Sequence, residues 1–298
     1  MSKLFNPEDL WVPSDQVSVI SRSEVEKCIG PITEPLQLLS GGQANTNIRI
    51  GEDQVLRLYR RDASIAGKEL SLIRQNWKTF VVPEVIGSGD GFLWMKYVCH
   101  SPLEDQAEVG EALGKALAEI HSYAYETAGF IGTDLKIEEP MENFVTDMWD
   151  YLCSFMDMPP KPALPTSLLD VVIDFFDTKI EGLQEVAGLP VLLHGDFKVS
   201  NLHASDQGKP LILDWEFAYA GSALMDIGQL FRWPCPPAFE KAFQQAYQIS
   251  GGHLTDRWKY WASILDTINL VGMLYKSAPE SQKSLDITAR IKTTLQAG

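Results

Sequence analysis

Over the first hundred residues apolar positions recur in short runs, often at every second place; beyond them the period lengthens. LQLLSGGQANTNIRI (36–50) predicts a strand, a glycine-containing turn and a second strand, and QVLRLY (54–59) alternates as a half-buried strand does. AGKELSLIRQNW (66–77) predicts a helix with Leu70, Ile73 and Trp77 on one face, and VPEVIGSGDGFLWMKYV (82–98) a strand, a Gly-rich turn and a strand. After Val98, AEVGEALGKALAEIHSY (107–123) places Leu113, Ala116, Leu117 and Ile120 at helical spacing. Further helical runs fill 139–188, broken by PPKPALP (159–165). A compact β segment spans 190–218, and the tail from about 237 to 296 is mostly helical.

This order is a small β-rich piece with one helix followed by a larger α-rich piece. It is an α+β pattern, not a βαβ alternation. The expected division is 1–98 and 99–298, with a hinge near 96–102. The net charge of −15 argues against nucleic acid as a partner, because phosphate backbones demand clustered Lys and Arg. Cys28, Cys99, Cys153 and Cys235 form no C-x-x-C pair and no zinc spacing, so reduced thiols are expected. No stretch has the length and apolarity of a membrane span, and MSKLFNPEDLWVP carries no apolar signal core. A cytoplasmic protein with no membrane partner is the expectation.

Chemistry concentrates in VLLHGDFKVSNLHASDQGKPLILDWEFA (191–218). The apolar run VLL leads into a polar loop. Asp206, Gln207, Gly208 and Lys209 suit a turn, and LIL delivers Asp214 at its end. A hairpin of this kind brings Asn201 and Asp214 together, with Asp196 on the loop before it. Mg²⁺ favours a few carboxylate or carbonyl oxygens completed by water and substrate phosphates. Phosphoryl transfer needs that metal and a group that positions the attacking hydroxyl, and in kinase catalytic loops the Asp precedes the metal-binding Asn by the spacing seen between Asp196 and Asn201.

HGDFKVSN (194–201) followed by LDWEFAYAGSALMDIGQL resembles the aminoglycoside phosphotransferase and choline kinase family, small-molecule kinases with the bilobal protein-kinase-like fold. The resemblance implies that 1–98 is a nucleotide-binding lobe and 99–298 a catalytic and substrate-binding lobe. It implies ATP or GTP as co-substrate, Mg²⁺ as cofactor and a small molecule as acceptor. GGQANTN (41–47) looks like the loop over the phosphates, with Gly41, Gly42 and Asn45; it is not a Walker A loop. Arg57 stands where protein kinases carry the Lys that holds the α- and β-phosphates, with Glu69 as its partner. That exchange replaces a compact charge by a planar fork. Lys96, Tyr97 and Val98 resemble the hinge beside the base.

Within the loop, Asp196 is expected to orient the hydroxyl, with proton removal secondary to positioning because an ordinary Asp is a weak base at neutral pH. Asn201 and Asp214 hold the metal, and Lys198 either neutralises charge in transfer or is a solvated loop residue. His194 and Glu216 support the site, and Asp226 either braces the loop by accepting backbone N–H bonds or caps a helix. His121 reads as a core histidine. The run FAYAGSALMD sits closer to the antibiotic kinases, so an aminoglycoside-like acceptor is expected; the alternatives are an amino alcohol, homoserine or a sugar metabolite. A catalytically silent nucleotide-binding pseudokinase is the alternative of another class. Phe144, Trp149, Trp233, Asp256, Trp258, Trp261 and Asp266 are candidates for an acceptor pocket, weighed against simple packing of the helices.

Overall fold

The computed structural model describes residues 2–11, 21–39 and 45–297. In chain order, a short 3₁₀ turn (Pro7–Leu10) precedes α1 (Arg22–Ile29), β1 (Leu36–Leu38), β2 (Asn45–Ile50), β3 (Gln54–Tyr59), α2 (Ile65–Ile73), β4 (Val85–Gly89) and β5 (Phe92–Lys96). There follow β6 (His100–Pro102), α3 (Ala107–His121), β7 (Gly129–Ile131), β8 (Ile137–Pro140), α4 (Phe144–Ser154), α5 (Thr166–Asp177) and α6 (Ile180–Val186). The chain continues through β9 (Val191–Leu193), β10 (Leu202–Ser205), β11 (Pro210–Ile212), β12 (Tyr219–Gly221), α7 (Leu224–Leu230), α8 (Pro237–Ile249), α9 (Trp258–Tyr275) and α10 (Gln282–Gln296).

The first sheet is antiparallel, in the order β1-β2-β3-β5-β4. Strand period sorts β3 into two faces. Leu56 and Leu58 join Ile48, Ile50 and Val25 in a small core beneath α1, while Arg57 and Tyr59 face the other way, towards α2. Helix α2 stops at Ile73 rather than running on to Trp77. The indole Nε1 of Trp77 donates to the carbonyl of Leu72 at 2.9 Å, filling one of the acceptors a helix leaves free at its end. Trp77 then stacks on Trp215, their rings 5.5 Å apart.

Two smaller sheets, β11-β10-β6 and β8-β7-β12-β9, lie on the helical part. The first is stitched to the segment before β4, because the N–H of Val81 bonds Pro210 O at 2.8 Å and that of Ile212 bonds Val81 O at 3.0 Å. Around them the helices enclose the main core. Gly110 and Gly114 let α3 lie directly on α8: a Cβ at Gly110 would sit 2.3 Å from Phe239 O. The result is a mixed fold with a sheet-rich first part and a helical second part. Among the described residues no helix is long and apolar enough to cross a membrane.

One pair on the small sheet carries a pH consequence. The rings of His100 and His203 lie 4.4 Å apart. Burial, and then the neighbouring His100, push the pKa of His203 down from the ordinary 6.5 to about 4. Between those values the unfolded chain binds a proton that the folded chain refuses, so stability is lost as pH falls through this window. The partial exposure of the ring limits the effect to about 2 kcal/mol. Urea midpoints at pH 7 and pH 4.5 test this: His203→Gln loses less stability on acidification than the parent, and equal losses contradict the assignment.

Candidate active site

The hairpin of β10 and β11 builds one corner of the candidate site. Leu202 pairs with Ile212, and the N–H of Leu213 donates to Asn201 O at 3.0 Å, so Asn201 and Asp214 become neighbours. Asn201 Nδ2 donates to Asp196 Oδ2 at 2.8 Å and to Asp196 O at 2.9 Å. With its amide nitrogen so used, its Oδ1 is the atom left for a metal. Asp214 has φ of +71°, a left-handed conformation that Asp tolerates better than most residues. The turn there ends the strand, so Glu216 follows on a loop rather than along β11.

Glu216 reaches the sheet instead. Its carboxylate accepts from Asn45 Nδ2 and lies 3.7 Å from Arg57 Nη2. Arg57 also donates to Asp214 Oδ1 and stands 3.3 Å from Glu69 Oε2. The Glu69 carboxylate accepts a hydrogen bond from the buried Tyr59 hydroxyl. One guanidinium therefore serves three carboxylates from two distant parts of the chain. Burial alone would lower the pKa of Arg57, but Glu69 and Asp214 outweigh it and hold the value above the ordinary one. Burial, with Asp214 beside it, raises the carboxyl of Glu216 despite Arg57 and Asn45.

The catalytic loop is held from beneath. Asp226, fully buried on α7, accepts the N–H of His194 at 2.7 Å and of Gly195 at 2.9 Å. It lies inside the helix rather than at its cap. His121 Nε2 stands 3.2 Å from the same carboxylate, and its Nδ1 2.7 Å from the Tyr247 hydroxyl. His194 Nε2 meets Leu213 O at 3.0 Å. Gly195 turns at φ +78°, where a Cβ would lie 2.1 Å from Phe217 O. Lys198 Nζ sits 3.0 Å from Asp196 Oδ2 and 3.9 Å from Glu8 Oε2. Burial works against its charge, yet these two carboxylates raise its pKa above the ordinary lysine value.

Phosphoryl transfer uses a group that positions the attacking hydroxyl, oxygens for a metal and a cation for the phosphates, and an Asp–Asn pair, a second Asp and an arginine from the first sheet stand together here. The sequence model of a family described as "Phosphotransferase enzyme family" matches residues 35–261. The chain belongs to this phosphotransferase family. Its fold is that of solved kinase-like phosphotransferases. APH(2")-IIia in complex with GDP and kanamycin superposes with a TM-score of 0.66 at 17% identity, covering 84% of this chain and 89% of the other. A choline/ethanolamine kinase family protein from Mesorhizobium loti gives 0.65 at 19% identity, covering 92% of both chains. The streptomycin–ATP–APH(2")-IIa ternary complex gives 0.62 at 18%, covering 92% of this chain and 94% of the other. Among curated proteins, none matches the chain by sequence.

Within the phosphotransferase frame, Gly41 and Gly42 lie outside the described residues. Asn45, Arg57, Glu69, Asp214 and Glu216 converge, as do Asp196, Lys198 and Asn201. Lys96 does not join them: its exposed ammonium pairs with Glu84 at 2.7 Å. The N–H of Tyr97 donates to Asp53 O, its ring lies under the Arg49 guanidinium, and Val98 O meets His100 Nδ1 at 2.7 Å. Of the aromatic pocket candidates, Trp258 is core and Trp261 closes over Gly182. Asp266 is buried on Arg232.

Several contributors escaped the sequence reading. Gln229 accepts the N–H of Phe197 at 2.6 Å and donates to Gly195 O at 2.8 Å. It lies one helical turn beyond Asp226, a spacing that could have flagged it. Glu8 and Arg232 had no local signal at all.

Proposed function

We propose that this phosphotransferase moves the γ-phosphoryl group of ATP to a hydroxyl of a small molecule. The observation that carries the reading is the Asn201–Asp196 hydrogen bond next to Asp214, with Arg57 reaching Asp214 from the facing sheet. Asp196 Oδ receives the acceptor hydroxyl and takes its proton as the oxygen attacks phosphorus, and the bridging oxygen leaves with ADP. Asp226 and Gln229 fix the backbone that carries Asp196, so the carboxylate is placed before substrate arrives. Arg57 faces the phosphates, and Lys198 adds positive charge beside Asp196.

An amide oxygen at Asn201 and a carboxylate at Asp214 form a donor set suited to Mg²⁺, which keeps water and phosphate oxygens as its remaining ligands. When bound, the ion neutralises charge building on the phosphates.

The test is metal-dependent nucleotide binding together with turnover. Asp214→Ala is expected to weaken Mg²⁺·ATP by at least about tenfold, as loss of a ligand does. Unchanged affinity would remove Asp214 from the metal site. ATP-stabilised protein that turns over no acceptor would favour the silent binding module.

A further inference from the structure

The stretch of residues 2–11 lies against the helical part and delivers a carboxylate beside the catalytic Asp. It is fastened at two places. Leu4 is buried, with its N–H on Leu103 O at 2.9 Å. Trp11 bonds Asp286 at 2.9 Å and packs edge-on against Trp233. Between them Phe5 and Leu10 stand exposed, but the Glu8 side chain turns inward and is only 9% exposed. Its Oε1 accepts from Arg232 Nη1 at 2.9 Å and from Trp233 Nε1 at 3.3 Å, and its Oε2 lies 3.9 Å from Lys198 Nζ. The same ammonium is 3.0 Å from Asp196. A single lysine head thus separates Glu8 from the group assigned to the acceptor hydroxyl.

Glu8 sits among cations. Arg232 is fully buried and gives Nε and Nη2 to Asp266 at 2.9 and 2.8 Å, which leaves Nη1 for Glu8 and the Met273 sulfur. Lys283 belongs to the same side of the molecule, its ammonium 5.5 Å from the centre of the Trp11 ring. Take the Glu8 carboxylate away and the space next to Asp196 is faced by Lys198 and the free edge of Arg232. That surrounding repels an amine and attracts an anion. A buried guanidinium edge with no acceptor costs free energy, so an acceptor must fill the seat, and a carboxylate fills it best.

We infer that Glu8 is a removable occupant of the acceptor site, and that the acceptor is a hydroxyl compound bearing a carboxylate, which replaces Glu8 between Arg232 and Lys198. Glu8 leaves by rotation about its own side-chain torsions, with the anchors at Leu4 and Trp11 in place. The inference rests on the reading of Asp196 as the residue that receives the acceptor hydroxyl. It turns the expectation away from a polycationic aminoglycoside and towards hydroxy acids that carry a carboxylate and no amine.

The experiment compares the full-length parent with Glu8→Gln. Glutamine keeps an oxygen for Arg232 and Trp233 but removes the charge, so the fold is retained; thermal melting checks this. Two readouts are taken. The first is ATP turnover with D-glycerate and D-gluconate, set against ethanolamine, choline, kanamycin and glucose. The second is calorimetric binding of D-glycerate and D-gluconate, which needs no phosphoryl transfer. Turnover that favours the carboxylate-bearing set, with KM about tenfold lower in Glu8→Gln, is the expected result. Preference for amines, or a higher KM in the variant, overturns the inference and makes Glu8 a resident contact for a cationic acceptor. If nothing is phosphorylated, the transfer reading fails on its own. Binding about tenfold tighter to the variant than to the parent then still supports the seat, and equal or absent binding overturns it.

Discussion

Asp196→Ala is expected to lower the rate of phosphoryl transfer by about 10³-fold while leaving Mg²⁺·ATP affinity nearly intact, the scale of loss for a positioned acid–base group. The reason is division of labour in the loop. Arg57 reaches Asp214 from the facing sheet without touching Asp196. Asp196 meets Asn201 Nδ2 and Lys198, on the side where Glu8 approaches. Removing it deletes the acceptor's partner and one of the two bonds of the Asn201 amide, but the bond to the backbone carbonyl of residue 196 and the Leu213–Asn201 bond still hold Asn201 and the hairpin. Single-turnover rates beside nucleotide titrations check the split. Transfer within a few-fold of the parent would take the role from Asp196; a matching collapse of ATP binding would make it a structural residue.

Asp226→Ala is expected to be the most damaging change to the fold around the site. The carboxylate is fully buried and accepts the N–H groups of His194 and Gly195, with His121 as a third neighbour. Its removal strands two buried backbone donors and the His121 ring in a place where water does not reach. Deleting one partner from a buried charged network costs about 3–5 kcal/mol. The His-Gly turn is shaped by these bonds, so transfer falls with stability. Denaturant midpoints measure the first loss. The second is read at a temperature where the variant is still folded, since a purely global effect would leave the folded fraction with normal turnover. Asp226→Asn is the control: it keeps one acceptor oxygen and is expected to lose less of both.

The most legible part of the chain was the part whose chemistry is local. Asp196 and Asn201 are a fixed few residues apart, and the turn at Asp206–Lys209 makes the pairing of β10 with β11 a short-range event. Helix α3 followed from its apolar spacing, because the face that repeats is the face that packs. Helix α2 was drawn too long for an instructive reason. Trp77 fits the apolar face of the helix by period, but its indole does more as a cap on Leu72 O and as a layer on Trp215.

Along the chain, then, the loop 194–201, the hairpin that follows it and the order of sheet and helix were written in spacing, period and turn chemistry, which act between near neighbours. What joins distant residues was decided only when the chain closed on itself. Arg57 meets an Asp 157 positions away, and Glu8 meets an Arg 224 positions away. No local pattern marks either pair, since an exposed charge and a buried one look alike in sequence. Burial makes the difference: it removes water from Arg57 and Arg232 and forces each to find a carboxylate.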